Sequence, residues 1–189
     1  MKVLITGAGQ GLGCWMMSEL LARGNKVYAA VHSLTHISQQ MRELQIRYGE
    51  GITAFEMDVA DEQSVARAAQ MLKDQGQTLD GIVNNAAILI ERDKTIEELD
   101  LLAVKESFEV NTIGPMRVVQ KFLPLLYRGE RQVIVNISSE AGTVINAFPT
   151  NYPYSMSKTA LNMFSERLRE YLKEKDIQVF AVHPGWMRT

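Results

Sequence analysis

The sequence contains two pairs of a tyrosine and a lysine four positions apart, Tyr154 with Lys158 and Tyr171 with Lys175. In an α-helix this spacing places both side chains on the same face. A phenol has a pKa of about 10, and it exchanges protons near neutral pH only when a neighbour such as an ammonium group stabilises its phenolate. Tyr154 follows the pair Ser138–Ser139 after a loop, whereas Tyr171 stands among charged residues near the predicted end of the helix. The sequence therefore favours Tyr154 as an acid–base group.

A glycine-rich segment, Thr6–Gly13, stands between an apolar run and a stretch with helical spacing. Glycines let the backbone turn sharply and bring backbone N–H groups close to a pyrophosphate, which the N-terminus of the following helix then faces. A tight turn without a ligand has a similar composition. The strand before the segment and the helix after it favour a phosphate-binding loop. Its spacing departs from G-x-G-x-x-G, because Leu12 and Cys14 stand where a third glycine is needed.

Six short apolar runs predict the strands that position these groups: Val3–Ile5, Val27–Val31, Ile52–Met57, Leu79–Asn84, Gln132–Ser138 and Ile177–His183. Longer stretches with helical spacing lie between them: Leu12–Arg23, Ser64–Lys73, Val104–Tyr127 and Ser155–Lys173. Continuously apolar strands separated by helix-length crossovers predict a parallel sheet with helices on both faces. We therefore expect one doubly wound α/β domain over residues 1–189, with its ligand crevice at the C-terminal ends of the strands.

The composition excludes several classes of partner. With 20 basic and 22 acidic residues spread along 189 positions, the net charge is -2, which leaves no basic face for nucleic acid or an anionic membrane. No apolar run approaches the roughly 20 residues of a membrane span. The single cysteine, Cys14, forms no intrachain disulfide, and no cleavage site of small residues follows the start, so we expect a cytoplasmic protein. The scattered His32, His36 and His183 indicate no metal site.

Seven motifs, in order along nearly the whole chain, resemble those of the short-chain dehydrogenase/reductase family. They are Thr6–Gly13 (T-G-x-x-x-G-x-G), Asp58–Val59, Asn84–Ala87 (N-N-A-G with alanine for glycine), Asn111, Ser138–Gly142 (S-S-x-x-G), Tyr154–Lys158 (Y-x-x-x-K) and Pro184–Thr189 (P-G-x-x-x-T). Phe108–Pro115 and the final residues are similar to carbonyl-reductase and C-factor-type members. The resemblance implies a Rossmann-like fold and an oxidoreductase that moves a hydride between NADP(H) or NAD(H) and a small carbonyl or alcohol.

The resemblance also implies a role for each site residue. Tyr154 would exchange a proton with the substrate oxygen, Lys158 would lower its pKa and hold the nicotinamide ribose, and Ser139 would orient the substrate. Asn111 would hold a water that links the lysine to solvent. The remaining cofactor contacts implied are Gly7, Gln10, Gly11, Leu12, His32, Asp58, Val59, Asn85, Pro184 and Thr189.

The end of the second strand bears on the choice of nucleotide. NAD-preferring relatives place an acid on the ribose hydroxyl about 20 residues after the glycine loop. No acid occurs between Lys26 and Glu43. Val31 stands where those relatives place the acid, and His32 stands where NADP-preferring relatives often place an arginine. We expect NADP(H), with NAD(H) as the other choice.

Each motif also has a purely structural interpretation. Ser138 and Ser139 could be strand-end hydroxyls, Asn111 could bond backbone within its helix, and Asp58 could form a turn or a helix cap. The alternative function is a non-catalytic nucleotide-binding or scaffold protein of the same fold. A nucleotide-sugar epimerase or dehydratase would need a larger C-terminal domain and different glycine spacing. The sequence stops at Thr189, before the helix and seventh strand implied by the resemblance, so it is either part of a longer protein or an unusually short member.

The two longest predicted helices suggest self-association. We expect a homodimer or homotetramer formed through Val104–Tyr127 and Ser155–Lys173, as in the family resembled. The first helix carries apolar residues in excess of what one sheet face covers: Phe108, Val118, Val119, Phe122 and Leu126.

Overall fold

The computed structural model describes residues 1–145, 147 and 149–185. Its strands are β1 (Lys2–Thr6), β2 (Lys26–Val31), β3 (Ile52–Glu56), β4 (Gly81–Asn84), β5 (Val133–Ile137) and β6 (Gln178–Val182). They form one six-stranded sheet in the order β3-β2-β1-β4-β5-β6, with parallel pairing throughout. Each strand overlaps a predicted apolar run, and all pairings are parallel, so the predicted parallel sheet is confirmed.

The helices are α1 (Gly11–Ala22), α2 (Gln39–Tyr48), α3 (Glu62–Asp74), α4 (Leu101–Phe108), α5 (Gly114–Leu126) and α6 (Tyr152–Leu172). The predicted helix Val104–Tyr127 is not regular, because a π-helical turn, Glu109–Ile113, separates α4 from α5. Helix α2 was not among the predicted helices. It buries only Met41 and Leu44, so its apolar pattern is weak.

Helices cover both faces of the sheet, as the pattern of apolar strands predicts. Successive residues of a strand point to opposite faces, so Leu4 packs in the core beneath α3, α5 and α6, while Ile5 packs in the core beneath α1 and α2. The chain moves from β1 outward through β2 and β3, and then returns to the other side of β1 to form β4. The crevice at this reversal of strand order is where ligands bind in doubly wound folds.

The prediction of the surface that mediates self-association is partly wrong. Val118, Val119, Phe122 and Leu126 lie in the core, because this side of α5 faces the sheet. The large apolar residues that these two helices expose are others: Met116 and Tyr127 on α5 and at its end, and Met156, Met163 and Tyr171 on α6. Within the described ranges, no helix is both long and apolar enough to cross a lipid bilayer.

Candidate active site

The glycine loop follows β1 and leads directly into α1. Gly7 has a φ of +64°, and a Cβ added there would lie 3.0 Å from the Cα of Ala86. A Cβ on Gly13 would lie only 2.3 Å from the carbonyl oxygen of Gly7. The loop therefore folds back on the first turn of α1 with no room for a side chain at Gly13, which suits a cradle for a pyrophosphate.

Three predicted cofactor residues stand at the N-terminus of α1. Gln10 precedes the helix in extended conformation, and Gly11 and Leu12 open its first turn. Gln10 and Gly11 are exposed, so this end of the helix faces solvent at the crevice. The unpaired N–H groups of a helix N-terminus attract phosphate oxygens.

The Asn85 side chain supports the glycine loop. Its Nδ2 donates to the carbonyl oxygens of Thr6, at 2.9 Å, and Gly7, at 3.2 Å. In return the Thr6 hydroxyl accepts from the backbone N–H groups of Asn85 and Ala86, both at 3.0 Å. These bonds join the ends of β1 and β4, so Asn85 has a role in positioning the loop that the sequence did not indicate.

The end of β2 adjoins a carboxylate from the neighbouring strand. Val31 is buried and His32 is exposed just after it. In the parallel register Val31 lies opposite Glu56, whose Oε1 accepts from the backbone N–H of Leu34 at 2.9 Å. A carboxylate thus lies one strand away from the end of β2, against the turn that follows His32.

Asp58 and Val59 follow β3 at the same edge of the sheet. The Oδ1 atom of Asp58 accepts from the backbone N–H of Ala60 at 2.9 Å, so this side chain forms the local turn considered for it. Val59 is buried against Gly114, where an added Cβ would lie 3.0 Å from a Val59 methyl group. Contact of either residue with an adenine ring stays a prediction.

Asn111 lies in the π-helical turn and is buried. Its Oδ1 accepts from the backbone N–H of Ile88 at 2.8 Å, and its Nδ2 donates to Ile88 O at 2.9 Å and to Ser157 Oγ at 3.0 Å. The side chain therefore links the loop after β4 to α6 and does not bond within its own helix. Both amide hydrogens are used, so a water held by this side chain would have to donate to Oδ1.

The strand β5 and the first turns of α6 bring together the remaining predicted catalytic groups. Ser139 follows β5, and its Oγ accepts from the backbone N–H of Ala141 at 3.1 Å. Lys158 is only 2% exposed, and its Nζ donates to the carbonyl oxygen of Ile137 at 2.7 Å. The same Nζ lies 5.5 Å from the centre of the Tyr154 ring. The ammonium is thus anchored to the strand that presents Ser139.

Burial shifts both ionisable groups of this site. It raises the pKa of Tyr154, and interaction with the Ser139 side chain lowers that pKa in part. Burial lowers the pKa of Lys158 to about 8. The net direction for the phenol is upward, so lowering of the Tyr154 pKa by Lys158 stays a prediction.

The second tyrosine–lysine pair lacks this arrangement. Tyr171 is 65% exposed at the other end of α6. The Nζ atom of Lys175 lies 5.1 Å from the ring centre of Tyr127, so this ammonium packs on a tyrosine outside the motif. The geometry therefore distinguishes the two pairs, and the assignment of Tyr154 as the acid–base group stays a prediction.

The end of β6 and the residues that follow it reach the same edge. Val182 O accepts from the backbone N–H of Ser138 at 2.8 Å, and His183 Nε2 lies 3.8 Å from a carboxylate oxygen of Glu140. Pro184, a predicted cofactor residue, follows at this edge. Thr189, the other residue predicted there, lies outside the described residues. No three potential metal ligands come together in the part of the chain that the structure describes.

Sequence reasoning missed the polar residues on the sheet side of α6. Asn162 and Ser165 bond to residues of β5 and of the turn that follows it. Ser165 occupies a core position, between the buried Leu161 and Leu168. A serine at a core position of an otherwise apolar helix stripe was the available signal.

A doubly wound sheet with a glycine cradle at its switch point and a tyrosine–lysine pair at the same edge defines a nucleotide-binding type of α/β domain. Residues 1–189 match the short chain dehydrogenase family over their whole length. The chain therefore belongs to the short-chain dehydrogenase/reductase family.

Individual relatives support this membership. The chain is 36% identical over 191 residues to a short-chain dehydrogenase of Penicillium crustosum, covering 99% of this chain and 66% of the relative. It is 33% identical over 187 residues to the mitochondrial D-beta-hydroxybutyrate dehydrogenase of Bos taurus, covering 97% and 53%. An NADPH-bound carbonyl reductase from chicken fatty liver superposes with a TM-score of 0.87 at 31% identity, covering 98% and 79%. The chain thus spans between about half and two thirds of these two curated relatives.

The glycine cradle gives a first prediction. Gly13→Ala should weaken NADPH binding by on the order of 10-fold or more, because its Cβ forces the Gly7 backbone out of place. Gly9→Ala is the matched control, since its Cβ meets its nearest neighbour at an ordinary 3.4 Å. Fluorescence titration measures both variants. Equal NADPH affinity of the two variants would contradict the prediction that the glycine loop holds the cofactor phosphates.

The buried ammonium gives a second prediction. Below pH 8 the native state carries a buried charge, and between about 8 and 10.5 the unfolded state binds more protons at this site than the native state. Relative to Lys158→Met, the free energy of unfolding of the unaltered protein should therefore rise across this window, by on the order of 3 kcal/mol. Urea unfolding of both proteins at several pH values measures this. A difference that is independent of pH would show that Lys158 titrates normally.

Proposed function

We propose that this chain is an oxidoreductase that transfers a hydride between a nicotinamide nucleotide and a small carbonyl or alcohol. One observation carries the proposal: Ser139, Tyr154 and Lys158 converge at the edge of the sheet that also holds the glycine cradle. The titratable groups of this cluster have shifted pKa values, as is common at catalytic sites.

The residues of this site have separate roles in the proposed reaction. The nicotinamide nucleotide supplies or accepts the hydride, and the loop Gly7–Gly13 with the α1 N-terminus would hold its phosphates. Ser139 hydrogen-bonds the substrate oxygen and sets its distance from the Tyr154 hydroxyl. Tyr154 donates its proton to that oxygen during reduction and takes it back during oxidation. Lys158 places a positive charge beside the ring and stabilises the phenolate.

The main test compares the two tyrosine motifs. Tyr154→Phe should lower turnover on the order of 10²-fold or more while NADPH affinity changes little, because the phenylalanine keeps the ring and loses the proton donor. Tyr171→Phe is the control, since that hydroxyl lies on the exposed end of α6. Steady-state kinetics over a panel of carbonyls, with NADPH titrations, measure both. Near-normal turnover by Tyr154→Phe would contradict the mechanism.

For the nucleotide we propose NADP(H). The side chain at the end of β2 is Val31, which does not repel a 2′-phosphate, and His32 and Ser33 offer hydrogen-bond donors beyond it. The carbonyl reductase named above was solved with NADPH. Glu56 opposes this preference, because its carboxylate lies against the turn at Leu34. The net preference is therefore smaller than the missing acid alone would give.

The effect of the Glu56 carboxylate on nucleotide preference can be measured. Glu56→Gln should tighten NADPH binding about 2- to 5-fold and change NADH binding less, because it removes a screened charge near the 2′-phosphate. Glu50→Gln is the control, since Glu50 is exposed before the start of β3, at the far edge of the sheet. NADH binding more tightly than NADPH to the unaltered chain would refute the preference. An equal effect of Glu56→Gln on both nucleotides would refute its electrostatic origin.

We also propose that the chain self-associates through the exposed sides of α5 and α6. Met116 and Tyr127 on one helix and Met163 and Tyr171 on the other leave apolar surface in water. Met163→Glu should convert a dimer or tetramer at micromolar concentration to a smaller species in light scattering, whereas Ile46→Glu, on the 85% exposed residue of α2, should not. A monomer before substitution would contradict the proposal.

A further inference from the structure

One side chain, Asn162, connects α6 to both ends of the turn that contains Ser139. Its Oδ1 accepts from the hydroxyl of Ser138 at 2.6 Å, and its Nδ2 donates to the carbonyl oxygen of Gly142 at 3.2 Å. Ser138 directly precedes Ser139, and Gly142 ends the short 3₁₀ turn Glu140–Gly142 that follows it. Asn162 thus holds the turn from both sides.

Asn162 is also placed to fix where Tyr154 lies relative to Ser139. It follows Lys158 by one helical turn and Tyr154 by two, so it belongs to the same side of α6. The turn packs against this part of the helix without space, since a Cβ on Gly142 would lie 2.8 Å from the backbone carbon of Lys158. A hydrogen bond is directional, so the two bonds of Asn162 specify a position where apolar contact alone would allow sliding.

We propose that Asn162 is a positioning residue that sets the distance between the Ser139 hydroxyl and the Tyr154 phenol. This inference rests on the proposed function, because it assigns Ser139 and Tyr154 to the reacting oxygen. Asn162 acts through Ser138 and Gly142. It is therefore distinct from the catalytic groups themselves.

Neighbouring bonds distinguish this role from general attachment of the helix. Ser165 Oγ accepts from Asn136 Nδ2 at 2.8 Å, which attaches α6 to β5 away from the Ser139 turn. Thr159 Oγ1 lies 3.1 Å from Gly142 O and 3.0 Å from Ser155 O, so its one hydrogen is shared between these two carbonyl oxygens. Loss of Asn162 therefore removes the bond to Ser138 and weakens the attachment of Gly142, while the Ser165 bond to β5 is kept.

The phenol reports the position of the turn. Interaction with Ser139 lowers the pKa of Tyr154 against the effect of burial, so displacement of Ser139 raises that pKa further. The titratable groups that the structure describes around this turn are Lys158, whose Nζ lies 5.5 Å from the Tyr154 ring centre, and Glu140, which follows Ser139 and lies 3.8 Å from His183 Nε2. All three are unchanged in the variants that follow.

The experiment titrates Tyr154 by phenolate absorbance, with the curve of the matching Tyr154→Phe protein subtracted. Asn162→Leu removes both hydrogen bonds at similar volume, and Ser138→Ala removes one of them with a smaller change. Both should raise the Tyr154 pKa in the same direction as Ser139→Ala. Ser165→Ala, the control that detaches α6 elsewhere, should leave it unchanged while lowering the free energy of unfolding.

Kinetics supply the second measurement. Asn162→Leu should lower turnover on the order of 10-fold or more and leave the dissociation constant of NADPH nearly unchanged, because misplacing a reacting group by a fraction of an ångström affects the chemical step. A pKa shift by Ser139→Ala without one by Asn162→Leu and Ser138→Ala would overturn the proposal, as would an equal pKa shift by Ser165→Ala. The pKa titration needs no substrate, so absence of turnover would count against the proposed function while the role of Asn162 is still decided.

Discussion

The proposed active site depends on the position of α6 along β5, and three hydrogen bonds join the helix to the end of that strand. Three successive turns of the helix bond to three adjacent residues at the end of the strand: Lys158 to Ile137, Asn162 to Ser138 and Ser165 to Asn136. Apolar contacts tolerate small shifts, whereas these bonds have narrow distance and angle limits. The helix therefore delivers Tyr154 and Lys158 to one point at the edge of the sheet.

These hydrogen bonds contribute little to the free energy of unfolding, and their main effect is to fix the geometry of the site. Lys158 is charged and buried at neutral pH, and the cost of that burial is seen in its pKa of about 8. Asn136 also accepts from Asn84 at 2.8 Å, and the Oδ1 atom of Asn84 lies buried without a partner in the described chain. Apolar residues at these positions would stabilise the fold more. Polar groups retained in a core are expected where geometry serves function.

Much of this arrangement could be predicted from the sequence. Apolar runs located the six strands. Motif order indicated the glycine loop, Ser139, Tyr154 and Lys158, whose roles stay predictions. The π-helical turn at Glu109–Ile113 could not be predicted, since one extra residue per turn barely changes the apolar pattern of a helix. The prediction of which apolar side of α5 is exposed was also wrong, because a count of apolar residues does not say which of them the sheet covers.

The partners of polar side chains were equally hidden from sequence analysis. Glu56 and Leu34 are 22 positions apart, and Asn84 and Asn136 are 52 apart, so each pairing depends on the register of neighbouring strands. Asp58 shows the converse limit: its local turn was considered from sequence, and it is present. Hydrogen bonds between residues close in sequence can be predicted from the sequence, whereas pairings across the sheet can be identified only once the fold is known.

Whether this site supports hydride transfer from a nicotinamide nucleotide to a carbonyl can be tested directly. NADPH carrying deuterium at the reactive carbon of its nicotinamide is incubated with the chain and a panel of carbonyl compounds, and the products are analysed by mass spectrometry. We expect deuterium on the former carbonyl carbon of the alcohol product, and no labelled alcohol when Tyr154→Phe replaces the unaltered chain. NADPH binding with no labelled alcohol from any carbonyl would contradict the proposed hydride transfer.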